Sequence, residues 1–168
     1  MKEIKILSKK NHNEFKLINK RITETMADKS WFMGFSEYVL ENMFEKESTL
    51  VVYGVFIDGT LAAVSLYDAN YDEFSELAKV CGMPKEKIGA ELGGSMVLPE
   101  YRGQNLMHEI NLALIENAKA SGIDYFVATA HPDNIASNRS LVKLGMSYVN
   151  QITRAGGYLR NVYYLKIK

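Results

Sequence analysis

A single cysteine, three prolines, no excess of either charge and no long apolar run are the scarcities of this 168-residue sequence, and each excludes something. Cys81 alone cannot form an internal disulfide. No His or Cys beside it gives metal-ligand spacing, so it reads as an ordinary thiol and no metal site is expected. Lys plus Arg and Asp plus Glu both number 20, which leaves no net field to draw the chain onto nucleic acid or an anionic membrane. The longest apolar stretches, such as residues 50–57, are far too short to cross a bilayer, and Met1-Lys-Glu-Ile-Lys-Ile lacks the apolar centre of a secretion signal. The expectation is a cytoplasmic protein with neither a nucleic-acid nor a membrane partner. No repeat, low-complexity tract or Pro/Ser-rich linker interrupts residues 1–168, so one domain is expected.

What is present is periodicity. Residues 2–7 alternate as a strand, and 12–27 carry Phe15, Leu17, Ile18, Ile22 and Met26 at helical spacing. Ser36 opens a second helix that ends near Glu45. The runs 49–57 and 61–67 flank Asp58-Gly59, a strong hairpin signal. A helix over 72–80, a strand over 88–98 stopped by Pro99, and a helix from Gly103 or Gln104 to about Ala120 follow. Residues 125–130 read as a buried strand, 134–144 as a helix stopped by Gly145, and 147–154 and 158–167 as closing strands. Hairpins need antiparallel neighbours and β-α-β crossovers need parallel ones. The expected fold is therefore a single-domain α/β fold with a mixed central sheet of about seven strands and helices on both faces.

The chemistry concentrates where the strand over 88–98 passes through a Pro-bounded polar turn into a helix. Unpaired amides at a helix N-terminus, reinforced by the helix dipole, suit a pyrophosphate, and Arg102 and Gln104 add side-chain donors. Neither G-x-G-x-x-G nor G-x-x-x-x-G-K-[ST] occurs, which weakens a nucleotide-binding reading of another α/β type. The turn resembles the signature of the GNAT N-acetyltransferase superfamily, V-x-P-x-[YF]-R-G-x-G-x-[GA], present as Val97-Leu-Pro-Glu-Tyr-Arg-Gly-Gln-Asn-Leu-Met107. A second segment, Asn134-Ile-Ala-Ser-Asn-Arg-Ser-Leu-Val-Lys-Leu-Gly-Met146, is similar to that family's N-x-x-[AS]-x-x-x-[YL]-x-K-x-G-F.

The resemblance implies acetyl-CoA as cosubstrate and a primary amine, of unidentified kind, as acceptor. It makes Arg102, Gly103, Gln104, Asn105, Leu106, Met107 and His108 the expected pyrophosphate contacts. The backbone of Ser95, Met96 and Val97 is the expected partner of the pantetheine and of the oxyanion. Asn134 is implied toward the pantetheine arm, and Ser137 or Asn138 toward the phosphate end, although Asn134 also reads simply as a helix cap. Two family glycines are replaced here. Asn105 tolerates left-handed backbone, and Met107 still offers its amide, so cofactor binding is expected to be retained.

Glu91 resembles the general-base glutamate of some members, and it reads equally as an outward strand residue or a substrate contact. The family's usual proton donor, a tyrosine, falls on Leu141. Tyr148, Tyr101 and Tyr158 are the alternatives, with Tyr148 just beyond the helix, and a thiolate also leaves without a dedicated acid. His131-Pro-Asp133 reads as turn chemistry. Asp68, Asp72, Glu73 and Glu76 form an acidic segment that reads first as a solvated face and second as an attractor of cationic amines. Trp31, Phe32, Phe35 and Tyr38 read first as core and second as an acceptor pocket. The missing tyrosine and altered glycines keep a second reading open, that of a non-catalytic acyl-CoA-binding protein. Edge strands near the C-terminus leave a homodimer open as well.

Overall fold

A computed structural model describes residues 1–168. The elements are β1 (Lys2–Ile6), α1 (His12–Thr25), α2 (Glu37–Asn42), β2 (Leu50–Ile57), β3 (Thr60–Asp68), α3 (Tyr71–Val80), β4 (Gly89–Val97), α4 (Leu106–Ala120), β5 (Tyr125–Ala130), α5 (Ile135–Lys143), β6 (Ser147–Arg154) and β7 (Tyr158–Lys166). Short 3-10 turns occupy Lys9–Asn11 and Pro99–Tyr101. The strands form one seven-stranded sheet in the order β1-β2-β3-β4-β5-β7-β6. β4 and β5 are parallel, with Gly89 opposite Tyr125 and Leu92 opposite Ala128, whereas β1/β2, β5/β7 and β6/β7 are antiparallel. A parallel pair needs a crossover, and α4 supplies it between β4 and β5. This is the mixed α/β sheet that the periodicity predicts.

Local chemistry explains the boundaries. Asp58 and Gly59 both take positive φ, 47° and 82°, as the two-residue β2–β3 hairpin demands. Ser36 caps α2 by accepting from the Val39 N–H at 3.3 Å. α4 starts at Leu106, the first of its apolar positions and later than the expected Gly103 or Gln104, because Gly103 at φ 76° and Asn105 at φ 63° are left-handed and cannot belong to a right-handed helix. β6 ends the sheet, and its pairing with β7 slips between Tyr148 and Asn150.

The chain packs as two compact units, Met1–Tyr67 with Gly94–Leu114, and Asp68–Gly93 with Ile115–Lys168. In the first, Phe15, Ile18 and Ile22 of α1 join Leu40, Met43, Val52, Phe56, Leu61, Val64, Leu66 and Met96 in a buried core. Each such side chain stabilises the unit by about 1.5–3 kcal/mol relative to exposure. Leu17 breaks the predicted stripe. At 100° per residue it lies opposite Phe15, and it is 59% exposed, while Asn19 is buried in its place. Asn19 offsets that burial by accepting the Phe35 N–H at 3.2 Å. Phe32 and Phe35 pack against this core, whereas Tyr38 is 76% exposed.

In the second unit, Phe74, Leu77 and Ala78 of α3 pack against Tyr125 and Val127 of β5 and Val162 of β7. Cys81 lies half-buried beside them, and burial pushes its thiol up to about 11. Iodoacetamide at pH 8 should therefore alkylate Cys81 far more slowly in the folded protein than in urea, as read by mass spectrometry. Equal rates would mean that the thiol is neither shielded nor suppressed.

Candidate functional site

The turn after β4 is built from both ends. Leu98 N–H donates to the Ala62 carbonyl at 2.9 Å, and the 3-10 turn closes through Tyr101 N–H to Leu98 O (2.9 Å) and Arg102 N–H to Pro99 O (3.3 Å). Arg21 pairs with Glu100 at 3.0 Å and 3.2 Å and ties the turn to α1, while the Glu100 carboxyl, bonded first to its own backbone and then to Arg21, sits below its ordinary range. Beyond it, Gly103 and Asn105 are left-handed, so Asn105 adopts the backbone that a glycine would. The first backbone bond of α4 is Glu109 N–H to Asn105 O at 3.2 Å, which leaves the Leu106, Met107 and His108 amides ahead of the helical ladder. Met107 is right-handed within α4, so a side chain there adds bulk without backbone strain.

Three observations bear on whether this turn accepts an anion. A Cβ added at Gly103 meets nothing within 4 Å, so the space above the turn is open. Arg102 is exposed and rests its Nε on the Val97 carbonyl at 3.3 Å, leaving its two terminal nitrogens clear of that bond. His108 Nδ1 is buried without a hydrogen-bond partner at the third residue of α4. Successive left-handed and right-handed residues leading into a helix form the concave amide array that binds phosphates elsewhere. The residues fit a pyrophosphate.

β4 itself contributes backbone. Its register with β5 stops at Leu92, and the strand continues through Val97. Gly94, at φ 60°, kinks it, and a Cβ there would lie 2.7 Å from Phe35 Cζ and 2.9 Å from Leu66 Cγ. The Ser95 hydroxyl is 2.9 Å from that of Ser65, and the Met96 side chain is buried in the first core. Burial of the Met96 side chain leaves that residue only its main chain to offer a ligand, while Ser95 is exposed.

Glu91 lies in the second unit with its side chain one-fifth exposed. Its Oε1 accepts from Arg154 Nη1 at 2.9 Å, and Arg154 Nη2 reaches the Glu73 carbonyl at 3.4 Å. Burial raises the Glu91 carboxyl above the ordinary glutamate value, Arg154 opposes that rise, and the charges of Asp68 and Glu73 add to it. Asp72, Glu73 and Glu76 form an exposed face of α3, so the solvated reading fits them, yet the charge of Glu73 still reaches Glu91. The sequence gives no warning of Arg154. It is one arginine beside a turn, 63 residues from its partner, and only strand register brings them together.

Around α5, Asn134 caps the helix by accepting the Ser137 N–H at 3.1 Å, which leaves the Asn134 NH₂ group free of that duty. Asn138 requires a correction. Its Nδ2 donates to the His131 and Asn134 carbonyls, each at 2.8 Å, and its Oδ1 accepts from Asn161 at 2.9 Å and Tyr163 at 2.7 Å. That saturates the amide, so Asn138 fastens β7 to the turn before α5 and has no capacity left for a phosphate. His131-Pro-Asp133 is that turn, closed by Asp133 N–H on His131 Nδ1 at 3.2 Å and by Asn134 N–H on the His131 carbonyl at 3.0 Å.

Leu141 is buried, so the position of the family's tyrosine belongs to the core. Tyr148 is 56% exposed on β6 and meets Tyr163 edge-on at 6.0 Å. Tyr158 lies under Arg160, 5.5 Å from its guanidinium carbon, and Tyr101 packs against the first core. No group of three or more His, Cys, Asp or Glu side chains is placed to hold a metal ion, and no helix is long and apolar enough to cross a membrane.

A family profile described as an acetyltransferase (GNAT) domain matches residues 5–147. A search of curated proteins finds no matching relative. Among solved structures, an N-acetyltransferase from Staphylococcus aureus superposes with a TM-score of 0.73 at 16% identity, covering 99% of this chain and 98% of the other. The Salmonella typhimurium protein yncA, solved with its cofactor acetyl-CoA, gives 0.73 at 17% identity, with 100% and 95% covered. A ribosomal-protein-alanine N-acetyltransferase from Escherichia coli gives 0.71 at 16% identity, with 100% and 95% covered. At these identities the superpositions establish a shared fold.

Proposed function

The chain belongs to the GNAT acetyltransferase family, and on that premise we propose that it moves an acetyl group from acetyl-CoA directly to a primary amine in a ternary complex. The observation that carries the reading is the left-handed Gly103 and Asn105 turn opening into α4, inside the residues that the family profile spans. In this reading Gly103 through His108 take the pyrophosphate, with Arg102 and Gln104 adding donors and the Asn134 NH₂ taking a pantetheine carbonyl. The main chain of Ser95 to Val97 pairs with the arm and donates to the carbonyl oxygen as negative charge develops on it. Acetyl-CoA supplies an activated thioester. Glu91 Oε2 accepts a proton from the substrate ammonium, directly or through one water. The freed nitrogen lone pair forms the C–N bond, the C–S bond breaks, and its electrons leave with the CoA thiolate. The nitrogen then sheds a second proton, the thiolate takes one up, and one proton is released overall. Tyr148 is the candidate donor to the thiolate, from an exposed position that suits exchange with solvent.

The acceptor class extends to small amines, peptides and protein N-termini. A ribosomal-protein N-acetyltransferase among the structural neighbours supports including the last. Leu141 in the core, where the family places its acid, favours one second reading, an acyl-CoA-binding protein without turnover.

Isothermal titration with acetyl-CoA and CoA, followed by thiol release over a panel of amines, tests both readings. Binding with turnover is expected, and saturable binding with no turnover on any amine would favour the second reading. Gln104→Pro deletes an amide donor, and Arg102→Ala a cation. A lost charged hydrogen bond of about 1.5–3 kcal/mol predicts roughly 10- to 100-fold weaker CoA binding. Unchanged affinity in both variants would remove the pyrophosphate from this turn.

A further inference from the structure

We propose that Arg154 is a positioning residue for proton removal: it clamps Glu91 Oε1 and braces on the Glu73 carbonyl, so that Glu91 Oε2 is the oxygen presented to the substrate amine. The inference rests on the reading of Glu91 as the proton acceptor. The geometry is a division of labour within one carboxylate. Nη1 holds Oε1 at 2.9 Å, and Nη2 contacts a carbonyl in the first turn of α3 at 3.4 Å. The planar guanidinium is thus set by two elements other than its own strand, and a carboxylate held at one oxygen has restricted rotation. Both side chains are mostly withdrawn from solvent, 27% exposed for Arg154 and 20% for Glu91, which limits screening of the pair.

Charge makes the clamp necessary as well as orienting. Glu91 feels Asp68, at the end of β3, and Glu73, in the first turn of α3, and both favour its protonated form, which accepts no proton. Arg154 is the cation that opposes them. Arg160 on β7 interacts with Arg154 as a like charge. Glu91, Glu73 and Arg154 all belong to the second unit, and none is among the residues proposed for the pyrophosphate.

The test pairs a measurement independent of turnover with one that depends on it. The Glu91 carboxyl carbon is followed by ¹³C NMR titration in the wild type, Arg154→Gln and Arg154→Lys, using Glu91→Gln to assign the resonance. The pH dependence of kcat/KM is measured with acetyl-CoA and n-butylamine as the probe amine. In Arg154→Gln the carboxyl midpoint should move to higher pH, the acid limb of kcat/KM should move with it, and KM for acetyl-CoA should stay unchanged. Above the limb, a misaimed carboxylate should lower kcat by up to about 100-fold. Arg154→Lys keeps the charge but not the fork, so it should hold the limb near its wild-type position while still losing kcat. An unmoved Glu91 titration in Arg154→Gln would overturn the clamp and leave the Glu91 reading standing. A titration that moves while the acid limb stays would overturn Glu91 as the proton acceptor, and Arg154's part in the reaction with it.

Discussion

Glu91→Gln should lower kcat/KM by about 10²- to 10⁴-fold, the range that a positioned general base contributes. Glutamine has nearly the same shape, and its carbonyl oxygen can still accept from Arg154, so the substitution removes proton affinity with little change in packing. Binding of acetyl-CoA should be unaffected, because the residues proposed for the pyrophosphate are those of the turn after β4. The pH profile gives a second readout. Burial holds the Glu91 carboxyl above the ordinary glutamate value, so the acid limb of kcat/KM should lie above that value and vanish in the glutamine variant. Stability carries the same sign. The folded state binds this proton more tightly than the unfolded state, so Glu91 costs stability as pH rises from the ordinary value through the raised one. A kcat/KM within threefold of wild type would leave Glu91 as a substrate contact or a plain strand residue.

Gly94→Ala should destabilise the first unit strongly. At φ 60° an L side chain costs about 1–2 kcal/mol. The added Cβ would also sit 2.7 Å from Phe35 Cζ and 2.9–3.0 Å from two Leu66 carbons, overpacking worth about 1–3 kcal/mol. Phe35 has little room to yield, since its ring lies 5.5 Å from that of Phe15 and 6.0 Å from that of Phe32. A combined loss of about 3 kcal/mol corresponds to a melting temperature lower by about 6–12 °C for a chain of this size. Gly103→Ala is the control. Its φ of 76° carries similar strain, but nothing lies within 4 Å of the new methyl, so it should lose only about 1–2 kcal/mol. Equal melting temperatures for the two variants would show that β4 yields at Gly94.

How much of this was legible in the sequence depends on the range of the interaction. Asp58-Gly59, the Ser36 cap and the alternating strands act over a few residues, and the structure places each where local chemistry predicts. The turn after β4 was legible as a break between strand and helix, but the start of α4 reads two or three residues early, because the left-handed backbone of Gly103 and Asn105 leaves no periodic signature. Leu17 and Asn19 exchange their expected fates because a helical face is a matter of angle, and a buried Asn is tolerated once the Phe35 amide reaches it. Arg154 escaped altogether, and Asn138 reads as a ligand contact that its own neighbours pre-empt. The Asn161 and Tyr163 that saturate Asn138 come from β7, and Glu91 of β4 and Arg154 of β6 are related in the sheet only through β5 and β7. Pairings across that much chain leave no periodic trace.

The slipped register between Tyr148 and Asn150 has a meaning for life at high concentration. β6 is an outermost strand, and a straight outermost strand is a template onto which another polypeptide adds, rung by rung. One displaced residue breaks the even ladder and increases the local twist, so an incoming strand finds its rungs out of step midway along. The irregularity thus works against fibril growth from this flank, and it does so without a proline or a run of lysines.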